Sequence, residues 1–96
     1  MKDLKQKIEQ FRPALKDNSI NAYLIVLKKL NNNKDYENLD FLKNKKDINL
    51  ILDKLKLTTR RNYITAVLVT LQAVKYDDQN LLNYYRNLVN DYNEEY

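Results

Sequence analysis

The amino-acid sequence points to an all-α protein, a compact bundle of four to five helices, for three reasons. Glycine is absent and proline occurs once in 96 residues. Hairpins and tight strand connections recruit glycine because it reaches positive φ without a steric penalty, so a β fold is disfavoured. Apolar residues recur every three or four positions through most of the chain, the spacing that keeps them on one side of a helix. Asp, Asn, Ser and Thr precede several of these stretches, and their side-chain oxygens suit the orphan N–H groups of a helix start. With 44% hydrophobic and 31% charged residues the chain has a globular composition. Its length is that of about one domain.

The elements follow in order. Leu4, Ile8, Phe11 and Leu15 share one stripe. Pro13 lacks an N–H and clashes with the preceding turn, so a first helix over roughly 2–12 stops near Phe11 or Arg12. Asp17-Asn18-Ser19 is expected to cap a second helix over 18–31, with Tyr23, Leu24, Leu27 and Leu30 inward. Asn31-Asn32-Asn33 ends it, because Asn tolerates the left-handed conformation of helix exits. Leu39, Phe41 and Leu42 suggest a single turn near 39–43. Asp47 is expected to cap a third helix, over 45–56, whose face is Ile48, Ile51, Leu52 and Leu55.

Thr58-Thr59 is read as the cap of a fourth helix, over 58–76. Tyr63, Ile64, Val67, Leu68, Leu71 and Val74 form its stripe, and Ala66, Val69 and Ala73 make its sides apolar as well. A helix apolar nearly all round is expected at the centre of the bundle. Asp77-Asp78 caps the last helix, over 78–95, with Leu81, Tyr85, Leu88 and Tyr92 on its stripe. Tyr23, Tyr63, Tyr85 and Tyr92 are expected in the core with hydroxyls reaching water, and Tyr84 and Tyr96 at the surface. No linker or repeat divides residues 1–96, which read as a single helical domain.

Enzyme chemistry finds little support in this composition. Histidine and cysteine are absent, removing the usual near-neutral proton carrier and metal ligand and excluding disulfides and thiolate zinc sites. No phosphate-binding loop, dinucleotide fingerprint or metal-binding motif occurs, so no cofactor and no metal are expected. Asp77-Asp78 and Glu94-Glu95 are adjacent pairs, and helix neighbours one apart do not converge on a substrate. The start, Met1-Lys2-Asp3-Leu4-Lys5, is charged and precedes no apolar segment, and no run approaches the ~20 residues of a membrane span. A soluble, intracellular protein with no membrane partner is expected.

Charge is uneven. Residues 77–96 hold one basic and five acidic side chains, net −4, whereas residues 1–76 hold 16 basic and 8 acidic, net +8. A basic body suits an anionic partner. The second helix opens with Lys16, Asn18, Ser19 and Asn21, and the fourth with Thr58, Thr59, Arg60, Arg61 and Asn62. Helix starts carry unpaired N–H groups and the positive dipole end, both suited to phosphate. Lys28 and Lys29 extend the basic surface, while Arg61, Thr65 and Gln72 lie on the polar side of the fourth helix within reach of a groove. Each of these has a plainer reading. Ser19 and Thr59 serve as caps, the arginines as solvated or ion-paired groups, and Lys43, Lys45 and Lys46 as a solvated face.

Two segments carry a family likeness. Asn18-Ser19-Ile20-Asn21-Ala22-Tyr23, followed by Leu27 and Leu30, resembles the first conserved helix of the core-binding domain of tyrosine recombinases, the phage integrase family. Leu39-Asp40-Phe41-Leu42 is similar to the short step before that domain's third helix. Thr58-Thr59-Arg60-Arg61-Asn62-Tyr63-Ile64-Thr65-Ala66-Val67 resembles its fourth. The likeness spans roughly residues 12–76 and rests on degenerate motifs taken in order.

The resemblance implies a SAM-like helical bundle that forms one jaw of a clamp on double-stranded DNA. It further implies that the second and fourth helices face the duplex. Contacts between protomers would run through the first and last helices, and a catalytic half would begin beyond Tyr96. None of that family's catalytic residues can be carried onto this chain. Two rivals stand beside this reading: a helical protein–protein interaction module, meeting its partner through the acidic tail or the Val69 side of the fourth helix, and a small helix-turn-helix regulator.

Overall fold

A computed structural model describes residues 4–36 and 38–95. They form α1 (Leu4–Phe11), α2 (Asp17–Leu30), a 3-10 turn (Asp40–Lys43), α3 (Lys45–Leu52), α4 (Leu57–Ala73) and α5 (Gln79–Glu95). The described residues are all-helical. Expectations for residues 2 and 3 and for Tyr96 lie outside them.

Apolar periodicity explains the packing. Leu4 and Ile8 of α1, Ile20, Leu27 and Leu30 of α2, and Ile48 and Leu52 of α3 are all buried. They join Ile64, Val67, Val69 and Leu71 of α4 and Leu81, Leu82, Tyr85 and Tyr92 of α5 in one core. Each fully buried aliphatic side chain contributes about 1.5–3 kcal/mol. Helix α4 packs against α5, α2 and α1, so the segment read as central is central. Ala66, Val69 and Thr70 are buried beside its main stripe, which explains the apolar sides.

Helix ends separate what local chemistry dictates from what it does not. Helix α1 stops at Phe11, before Pro13, as the missing N–H requires. At the end of α2, Asn32 and Asn33 take positive φ, 58° and 62°, and Asn33 N–H donates to the Lys28 carbonyl at 2.9 Å. At the end of α4 the positive-φ residue is Lys75, at 54°, and Tyr76 N–H reaches back to the Leu71 carbonyl at 3.0 Å. Asp78 caps α5, its Oδ1 accepting from Leu81 N–H at 3.1 Å.

The other expected caps are corrected. Helix α2 begins at Asp17 behind Lys16, and α4 at Leu57 behind Lys56, and no side chain among the described residues caps either start. Lys16 and Lys56 have extended backbones (ψ 155° in both) that feed directly into the helices. Asn18, Ser19, Thr58 and Thr59 therefore lie inside the first turns rather than ahead of them. In α3 the N-cap position is Asn44, and Asp47 sits in the first turn, accepting from the Asn44 side chain at 2.7 Å. Helix α3 also ends at Leu52, four residues before the expected 56.

Three tyrosines tie the 39–52 segment to the bundle. Tyr85 is fully buried and its hydroxyl donates to the Leu42 carbonyl, not to water as expected. Tyr84 is half-buried rather than exposed, and its hydroxyl accepts from Asn49 Nδ2 at 2.8 Å. Tyr76 donates to Asp40 Oδ1 at 2.7 Å.

Candidate nucleic-acid interface

The first half of α2 and the first half of α4 meet along an exposed groove of about 260 Å³. Ser19, Ala22, Tyr23 and Val26 line it from α2, and Asn62 and Thr65 from α4. Spacings of three and four residues put each set on one face of its helix. By the same spacing Asn18 stands one turn before Ala22, Thr58 one turn before Asn62, and Arg61 one turn before Thr65. Thr65 Oγ1 donates to the Arg61 carbonyl at 2.8 Å, so that hydroxyl is turned to the backbone.

The electrostatics of the two helix starts differ. Asp17 stands in the first turn of α2, whereas the first turn of α4 holds no acidic residue. Among the described residues neither start has a side-chain cap, so first-turn N–H groups and the positive dipole end are left to solvent or a ligand. Exposed Lys16 and Lys56 stand at the N-cap positions. An anion there gains about 0.3–1 kcal/mol from the dipole alone.

The residues expected at such a surface divide into groups. Ser19, Asn62 and Thr65 line the groove, and Asn18, Thr58 and Arg61 adjoin it, with Lys16 at the start of α2. Thr59 is half-buried and lies seven residues before buried Ala66, on the inner flank. Asn21 and Lys28, seven apart, share a face about 200° round the helix from Ser19 and Val26. Lys28 also pairs with Asp35 at 3.5 Å, in a recess lined by Leu24 and Tyr36. Gln72 lines a different recess, with Leu82 and Arg86, between α4 and α5.

Arg60 has a structural task. Its Nε donates to the carbonyls of Leu52 (2.8 Å) and Leu55 (2.9 Å), and Nη2 to that of Asp53 (3.1 Å). The guanidinium thus satisfies carbonyls at and beyond the C-terminal end of α3. It also pins the α3–α4 corner. Arg60, expected either to contact phosphate or to stand as a solvated or ion-paired cation, is anchored to these three carbonyls. Val69 is buried, so that side of α4 is covered by the bundle itself.

Sequence reasoning missed Ala22 and Val26 as groove residues and placed Tyr23 in the core, where it is half-buried at the groove. The three-four spacing from Ser19 through Ala22, Tyr23 and Val26 was the available signal, masked by the leucine stripe beside it.

Other charged groups lie elsewhere. Lys43 approaches Asp40 at 4.0 Å and stands 5.8 Å above the Tyr76 ring. Its pKa is raised, chiefly by the neighbouring Tyr76 hydroxyl and then by Asp40. Burial raises the Tyr76 phenol, and the bond to Asp40 adds to it. Lys45 lies over the Tyr84 ring at 4.5 Å. These lysines of the 43–46 run therefore brace the fold locally and do not border the α2–α4 groove. Among the described residues no group of three or more carboxylates is placed to hold a metal, and no helix is long and apolar enough to cross a membrane.

Comparison with family models, with curated proteins and with solved structures found no match to this chain.

Proposed function

We propose that this chain is a non-catalytic double-stranded DNA-binding domain of the tyrosine recombinase core-binding type, gripping the duplex through phosphates. Strand exchange or integration would then belong to a catalytic partner domain. One observation carries the reading: two helix starts, without side-chain caps among the described residues, flank a single exposed groove. That groove lies in the portion of the chain that carries the +8 charge. Oriented N–H groups, dipole ends and lysines at both N-cap positions make phosphate the chemically matched partner. The resemblance of residues 18–30 and 58–67 to the family's duplex-facing helices points the same way.

Binding of a mixed-sequence duplex, followed by fluorescence anisotropy across a salt series, tests the proposal. Log K is expected to fall by about 0.9 per phosphate contact against log salt. Combining Lys16→Ala with Arg61→Ala should weaken every duplex alike and flatten the slope by about 1 per lost contact. Absence of binding at low salt, or a slope unmoved by the double substitution, overturns it.

A helical protein–protein module is the second reading, and exposed Ile25 (56%) and Leu50 (55%) are the observation in its favour. A protein partner bound without competition from duplex DNA, and lost with Ile25→Ser or Leu50→Ser, would select it.

A further inference from the structure

A surface that only grips phosphate needs cations and N–H donors. The α2–α4 groove offers something else. Its lining includes apolar Ala22, Val26 and the Tyr23 ring, together with Asn62, which carries a side-chain amide. Asn62 is exposed, and its amide has no hydrogen-bond partner among the described residues. Thr65 sits one turn further along with its hydroxyl committed to the Arg61 carbonyl, which leaves the γ-methyl as its outward group. The groove therefore presents the Asn62 amide, with the Ser19 and Tyr23 hydroxyls beside it, next to a set of methyl groups.

In the major groove an adenine edge displays an acceptor, N7, beside a donor, the N6 amino group. An Asn or Gln amide matches the pair with two hydrogen bonds. The thymine of the same pair displays a C5-methyl, which apolar groups such as an alanine or threonine methyl contact. A guanine edge shows two acceptors, N7 and O6, which suit arginine or lysine, and no cationic side chain lines this groove.

Resting on the duplex-binding reading above, we propose that the groove is a base-reading site selective for A·T pairs. Asn62 contacts adenine N6 and N7, and Ala22, Val26 and the Thr65 methyl contact the thymine methyl. Phosphate contacts from the flanking helix starts set the register, and the groove supplies the sequence preference.

The test uses the full chain and four short duplexes of equal length, at one moderate salt concentration. Their central steps are A·T, G·C, A·T with 7-deazaadenine, and A·U. The A·T duplex is expected to bind about tenfold more tightly than the G·C duplex. Deazaadenine, which lacks the N7 acceptor, and uracil, which lacks the methyl, should each forfeit several-fold of that advantage. Asn62→Ala should bring the A·T duplex to the G·C level, erasing the difference between the two. Asn62 is exposed, so this variant is expected to keep its helical content and melting temperature, which circular dichroism checks.

Equal affinity for all four duplexes with a steep salt slope overturns the base-reading site while the phosphate grip stands. An A·T preference that survives Asn62→Ala also overturns it. Failure to bind any duplex at low salt removes the underlying reading and this inference with it.

Discussion

Two side chains sit where their chemistry is unfavourable, and each gives a prediction at the residue scale. Thr70 is fully buried in α4, and its hydroxyl has no hydrogen-bond partner among the described residues. A buried hydroxyl without a partner costs about 1–3 kcal/mol, and valine has nearly the same shape without it. Thr70→Val should therefore stabilise the fold by about 1 kcal/mol, read as a higher urea midpoint at constant slope. Lys75 ends α4 in the left-handed region, where a side chain crowds the following carbonyl at a cost of about 1–2 kcal/mol. Lys75→Gly relieves that crowding at the position glycine usually fills, with a smaller loss from the freer unfolded chain. A net gain of about 0.5–1 kcal/mol is expected in the same assay, and a loss would show that the Lys75 side chain has another role.

At the scale of elements, α3 is short and owes its placement to side chains from other helices. Ile48 and Leu52 bury its inner face, Asn49 bonds Tyr84, and Arg60 closes its end. Removing the guanidinium exposes the carbonyls of Leu52, Asp53 and Leu55 at a partly buried corner. Arg60→Ala should destabilise the protein by about 1–3 kcal/mol. Hydrogen exchange should quicken in α3 before it quickens in α4. Arg60→Lys should rescue little, because an ammonium lacks the planar fork that reaches three carbonyls. Duplex affinity of the folded Arg60→Ala protein is expected to stay near that of the parent, in contrast with Arg61→Ala. A loss as large as that of Arg61→Ala would show that Arg60 contacts the duplex as well.

For the molecule as a whole, Tyr85 makes stability depend on alkaline pH. Burial pushes its phenol well above the ordinary value of 10.0, with Tyr84 adding to the shift, so the folded state holds the phenolic proton more tightly than the unfolded chain. Stability is then full below pH 10.0 and declines as pH rises through that value toward the higher folded one. Urea midpoints followed by circular dichroism should be flat below about pH 9 and fall above about pH 10, and Tyr85→Phe should shrink that fall. A fall of the same size in Tyr85→Phe would assign it to other tyrosines, of which Tyr36 and Tyr76 also titrate high.

What could be read from the chain alone was whatever depends on near neighbours. Apolar residues three and four apart determined the helices and most of the core. Pro13 determined where α1 stops, and Asn32 and Asn33 how α2 ends. These are local effects, acting through backbone torsions and one face of one helix. The partners of Arg60, Tyr84 and Tyr85 were decided by tertiary structure, since each bond joins two different elements. The same holds for the groove. Ser19 and Asn62 lie 43 positions apart in the chain. Spacing along either helix defines a face, but only the packing of α2 on α4 brings the two faces together and turns Lys28 and Gln72 away.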